Sequence, residues 1–102
     1  MKYNKLVRDK IPEIIKKKGK IPITHTADDD EYWEKLKEKL NEEIDEFFRD
    51  GNEEELADIL EVIYGICEFK KIDKENLENL RKMKARKRGG FSKKIILDET
   101  KN

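Results

Sequence analysis

Residues 29–69 read DDEYWEKLKEKLNEEIDEFFRDGNEEELADILEVIYGICEF. Asp28 and Glu31 stand at capping-box spacing just before the apolar pattern begins, with Asp in place of Ser or Thr. Trp33, Leu36, Leu40, Ile44 and Phe47 then recur every three or four residues. That period makes one apolar stripe on a helix spanning about 29–49. Asp50-Gly51 is a turn signal. A further helix over about 53–69 follows, with Leu56, Ile59, Leu60, Ile63, Ile66 and Cys67 expected to face inward. Two long amphipathic helices joined by so short a turn predict a central antiparallel helical hairpin.

Working outward, the N-terminal side predicts a helix from about residue 10. Asp9 is the expected N-cap, Pro12 falls in the first turn where its missing N–H costs nothing, and Gly19 is the expected stop. Residues 21–26 read as extended, because Pro22 opposes helix while Ile23, Thr24 and Thr26 favour strand. On the C-terminal side a helix is expected over about 74–88, with Leu77, Leu80 and Met83 inward and Gly89-Gly90 ending it. Residues 92–97 read as a short strand that would pair with 21–26. The expected fold is all-α, of about four helices with a minor two-stranded β element. It forms a single domain over 1–97 with a frayed tail at 98–102.

Composition narrows the classes further. The chain has 102 residues, of which 47% are charged and 35% hydrophobic; 24 Lys and Arg cancel 24 Asp and Glu. Zero net charge argues against disorder, which favours high net charge. No stretch approaches the roughly 18 apolar residues of a membrane span, and no secretory signal opens the chain, so no membrane is expected. Cys67 is the only cysteine, which fits a reducing cytoplasm; it falls on an apolar helical face as a small buried hydrophobe. A chain this short buries a limited core, so self-association into an oligomeric bundle is expected.

The informative residues are acids in apolar company. At about 100° per residue, Glu43 falls within about 20° of Leu36, on the stripe between Leu40 and Phe47, and Glu46 lies at its edge. On the next helix Glu55 lands inside the apolar arc, flanked by Asp58. Glu46 and Glu55 are equally distant from the turn at Asp50-Gly51, as are Glu43 and Asp58. The hairpin would thus bring four carboxylates together as two facing pairs. Converging carboxylates raise each other's pKa, and burial adds to that; a divalent cation removes the conflict. Oxygen-only ligands select hard ions, Mg²⁺ first and Mn²⁺ as the alternative, and such ions usually also bind substrate phosphates. No His/Cys set with zinc spacing exists. The plainer reading stays open beside this one: acids are abundant, and Asn52 with Glu55 has capping-box spacing that explains Glu55 by itself.

Glu42-Glu43-Ile44-Asp45-Glu46 followed by Glu55-Leu56-Ala57-Asp58 resembles the E-E-x-x-E … E-x-x-D signature of the all-α NTP pyrophosphohydrolases. These include the MazG-like proteins and phosphoribosyl-ATP pyrophosphohydrolase. Tyr3-Asn4-Lys5-Leu6-Val7-Arg8-Asp9-Lys10-Ile11-Pro12 and Arg88-Gly89-Gly90-Phe91 resemble segments of a compact housekeeping branch of that superfamily. The resemblance implies Mg²⁺-dependent hydrolysis of a nucleoside triphosphate at the α–β phosphoanhydride, giving monophosphate and pyrophosphate, in a cytoplasmic dimer or tetramer. The implied purpose is clearing aberrant or surplus nucleotides. It implies Glu43, Glu46, Glu55 and Asp58 as metal ligands, with Glu42 orienting or deprotonating the attacking water. Phosphoribosyl-ATP is the variant substrate.

Basic residues must balance the rest of a triphosphate. Lys5, Arg8 and Lys10 are candidates near the start, and Arg86, Lys87 and Arg88 near the end. Each has an ordinary alternative. Arg8 and Lys10 can be solvated or pair with acids, and bases closing a helix suit its negative end. Trp33 and Tyr32 are expected in the core rather than stacked on a base, and His25 at the surface. A different class, a nucleic-acid-binding helical module, is suggested by residues 81–94, which carry eight basic residues and no acidic one. Zero net charge and the lack of a recognised binding motif argue against it.

Overall fold

The computed structural model describes residues 3–102. Among them lie α1 (Ile11–Lys17), α2 (Asp29–Asp50), α3 (Glu53–Lys70) and α4 (Lys74–Arg88), and no strand. No helix among the described residues is long and apolar enough to cross a membrane. The chain divides into two compact units, one ending at Lys71 and the other starting at Ile72.

In the first unit, local chemistry sets the ends of the helices. Asp28 accepts a hydrogen bond from the Glu31 backbone N–H at 2.9 Å, which caps α2. The Glu31 carboxylate does not reach back to close the box; it bonds His25 Nε2 at 3.0 Å, with His25 exposed. Gly51 ends α2 in the left-handed region at φ 67°, where a side chain would be strained, and its N–H bonds the Phe47 carbonyl at 2.7 Å. Asn52 caps α3 through the Glu55 N–H at 3.2 Å. Pro12 sits in the first turn of α1, but Asp9 is not its cap. Lys10 holds that position without a side-chain hydrogen bond. Burial raises the pKa of Tyr32, and the charges of Glu68 and then Asp9 add to it.

Two residues, Gly51 and Asn52, join α2 to α3, and the two helices pack against each other. Phe69, near the end of α3, stacks on Trp33 from the start of α2 at 5.7 Å and meets Tyr32 edge-on at 5.5 Å. Between these ends lies a thin core of Leu36, Val62 and Cys67. Truncating Leu36 to Ala there would cost about 2–5 kcal/mol. Gly65 marks the close approach: a Cβ on it would sit 3.3 Å from Leu36 Cδ2 and 3.7 Å from the Tyr32 hydroxyl.

Two sequence expectations are corrected here. Leu56 and Leu60 do not face inward; they are 51% and 47% exposed. On the helical wheel Leu56 and Leu60 lie on the same side of α3 as the buried Cys67, so that side is covered near the end of the helix and open near its start. The two-stranded element is absent among the described residues. Ile21, Ile23, Ile95, Ile96 and Leu97 are all exposed, and an extended segment without a paired neighbour has no ladder to hold it.

The second unit contains α4, capped by Asp73, which accepts from the Glu75 N–H at 2.9 Å. Gly89 ends the helix at φ 83°, and residues 89–102 carry neither helix nor strand. Leu77, Leu80 and Met83, expected inward, are each more than a third exposed.

Candidate functional site: an acidic face between α2 and α3

The acids that the apolar stripe predicted are buried. Glu43 is 6% and Glu55 8% exposed, a burial matched only by core residues. Glu43 follows Leu36 by seven residues on α2, and Glu55 precedes Val62 by seven on α3, so each occupies the place of a core side chain. In each, one carboxylate oxygen has a partner and the other has none. Glu43 Oε1 lies 3.3 Å from Lys39 Nζ, and Glu55 Oε1 accepts from Asn52 Nδ2 at 3.0 Å. Both Oε2 atoms are buried without a hydrogen bond. A buried carboxylate oxygen left unpaired costs free energy, and native proteins rarely keep one.

The electrostatics tie the predicted set together. Burial raises the Glu43 pKa above its ordinary 4.5; Lys39 opposes the rise, and the charges of Glu46 and Asp58 add to it. Burial also raises the Glu55 pKa; the neighbouring Asp50 carboxylate pushes the same way, Asn52 opposes, and Glu46 adds to the rise. Glu46 thus acts on both buried acids. Asp50 is a further acid whose charge bears on Glu55. It belongs to the turn signal Asp50-Gly51, and its spacing of four from Glu46 places it one turn along the same face.

The remaining predicted residues fall as follows. Asp58 is half-buried, and its Oδ1 accepts from Arg8 Nη2 at 2.7 Å. Glu42 is half-buried between Lys5 Nζ at 3.7 Å and Lys39 Nζ at 3.8 Å. Lys5 and Arg8, expected at phosphates, are therefore on acids of this face. Lys10 is exposed at the start of α1. Arg86, Lys87 and Arg88 belong to the second unit, exposed in the last turn of α4, where they suit the negative end of that helix. Cys67 is buried, as expected. Lys39, which the sequence reading did not single out, touches both Glu42 and Glu43. Its signal was a spacing of four from Glu43 on one helix. A polar cavity of about 300 Å³, with Lys5, Lys35, Lys39 and Glu42 in its lining, opens beside this face.

Among the described residues no three acidic, histidine or cysteine side chains are gathered closely enough to hold a metal ion as they stand. The donor chemistry nonetheless fits a hard divalent cation. It is oxygen only, and the two orphaned Oε2 atoms lack what such a cation provides.

No family model matches this chain, and no solved structure matches it. It is similar to an uncharacterised protein of Mycolicibacterium smegmatis (strain ATCC 700084 / mc(2)155), 54% identical over 41 residues. The match covers 40% of this chain and 42% of that protein, so the likeness spans less than half of either.

Proposed function

We propose that the protein is a Mg²⁺-dependent nucleotide pyrophosphohydrolase. It cleaves the α–β phosphoanhydride of a nucleoside triphosphate to monophosphate and pyrophosphate, serving to clear aberrant or surplus nucleotides in the cytoplasm. The observation that carries this reading is the pair of unpartnered carboxylate oxygens, Glu43 Oε2 and Glu55 Oε2, buried on two packed helices. An acidic face built at core positions, at a cost in stability, is supported by function rather than by packing.

In this reading α2 and α3 form a central antiparallel hairpin, and Glu43, Glu46, Glu55 and Asp58 hold the cation, Mg²⁺ or Mn²⁺. When bound, the ion supplies charge neutralisation and polarisation at the phosphoryl oxygens. Glu42, half-buried at the rim, orients the attacking water and accepts its proton. Lys5 and Arg8 bind the phosphate oxygens of the substrate as charge-assisted donors. Arg86, Lys87 and Arg88 enter the proposal through their charge alone. Self-association into a dimer or tetramer is supported by the thin core and by exposed Phe48, Leu56 and Leu60.

The test is pyrophosphate release from a panel of nucleoside triphosphates, with phosphoribosyl-ATP included, in Mg²⁺ or in EDTA. Release that needs the metal and falls to background in Glu43→Gln and Asp58→Asn is expected. A nucleic-acid-binding role for residues 81–94 would instead give salt-sensitive binding and no hydrolysis.

A further inference from the structure

The geometry points to Lys39 and Arg8 as resident counter-cations of the acidic face, seated on Glu43 and Asp58 until a divalent cation takes their place. This rests on the reading of the four acids as a metal site.

A divalent ion needs the lone pairs of its carboxylates. Lys39 Nζ stands 3.3 Å from Glu43 Oε1, and Arg8 Nη2 stands 2.7 Å from Asp58 Oδ1. Both members of the Glu43–Asp58 pair therefore already hold one of the protein's own cations, and in the other pair Glu55 Oε1 accepts a hydrogen bond from the Asn52 amide. This accounts for acids that feel one another's charge while no three are gathered for a metal. Both cations ride on long arms rooted outside the acid set. Arg8 comes from the segment preceding α1, and Lys39 from one turn before Glu43. Lys39 also has somewhere to go: it is within 3.8 Å of Glu42 and lines the adjoining polar cavity with Lys5 and Lys35. Glu43 Oε2 stays without a partner even with Lys39 in place, so the exchange offers a divalent ion a contact that the ammonium does not make.

The experiment is a calorimetric titration of Mn²⁺ into the full-length, EDTA-stripped chain at neutral pH, without nucleotide. Lys39→Met should bind Mn²⁺ about tenfold tighter than wild type, the effect of removing one close competing charge. Arg8→Met should bind about threefold tighter, since that pair is more exposed and worth less. Lys39→Arg keeps the charge and should stay near wild type. Lys37→Met is the control: Lys37 is exposed and pairs with Glu34 at 2.8 Å, so its loss should leave Mn²⁺ affinity unchanged. If Lys39→Met does not fold, Arg8→Met carries the test. Affinity unchanged or weakened in the Met variants overturns the exchange. So does equal tightening by Lys37→Met, which would reduce the effect to net charge. Absence of Mn²⁺ binding in every variant overturns both the exchange and the metal reading. Tightened binding without pyrophosphate release from any nucleotide would retain the exchange and sink only the proposed activity.

Discussion

Lys39 and Glu43, one helical turn apart on α2, form an ion pair in which only one carboxylate oxygen is satisfied: Nζ is 3.3 Å from Oε1, and Oε2 is buried without a partner. The pair sits in line with Leu36, the most deeply buried hydrophobic side chain of α2. A carboxyl group therefore occupies a place that packing would have given to a leucine, and the stability of the protein in EDTA should report that conflict.

The first prediction concerns pH. The folded-state pKa of Glu43 is raised above 4.5, chiefly by burial. A raised carboxyl contributes stability that is fully present below 4.5 and is lost as the pH rises through the folded value. In EDTA, wild type should therefore gain stability relative to Glu43→Gln as the pH is lowered from neutrality toward 4.5. Urea midpoints at a series of pH values measure this. Parallel profiles for the two proteins would show that Glu43 does not titrate as described.

Divalent cations should raise the melting temperature. A ligand that binds only the folded state stabilises it by about 2.7 kcal/mol at a hundredfold excess over Kd. Thermal melts with Mn²⁺ or Mg²⁺ against EDTA should show the rise in wild type and lose it in Glu43→Gln and Asp58→Asn. An equal rise in the variants would place the ion elsewhere.

The turn between α2 and α3 carries a double role in Asn52, which caps α3 and donates to Glu55 Oε1. Loss of the cap in Asn52→Ala should cost about 0.5–2 kcal/mol in denaturant titrations. Asn52→Asp keeps the capping oxygen but replaces the donor with a charge beside Glu55. It should be less stable than wild type in EDTA and recover part of the difference with Mn²⁺. No recovery would argue that Glu55 is only a helix-start residue.

Gly65 reports the closeness of the two helices. A methyl there gains helix propensity of about 1 kcal/mol, but its Cβ meets Leu36 Cδ2 at 3.3 Å, and Leu36 has little room to yield. Gly65→Ala should come out near neutral, whereas Gly65→Val should destabilise by about 1–3 kcal/mol through overpacking. Urea unfolding measures both, and a stabilising Gly65→Val would contradict the close approach.

The sequence by itself determined where the helices lie and which acids sit among apolar residues. Asp28, Gly51, Asn52 and Asp73 act on backbone groups within about one turn, so these ends are legible from neighbours alone, whereas Asp9 does not cap α1. The same holds for Glu43, whose place between Leu40 and Phe47 follows from helical period, and for the burial of Cys67. The tertiary structure alone decided which cation meets which acid and which apolar face is covered. Arg8 meets Asp58 across 50 residues of chain, and no local period encodes that distance. Leu56 and Leu60 face outward because α3 is apolar around most of its circumference, so its pattern does not select a side; packing against α2 does. The strand expectation for 21–26 and 92–97 failed for the same reason: β propensity is local, but a strand exists only when a second one lies beside it.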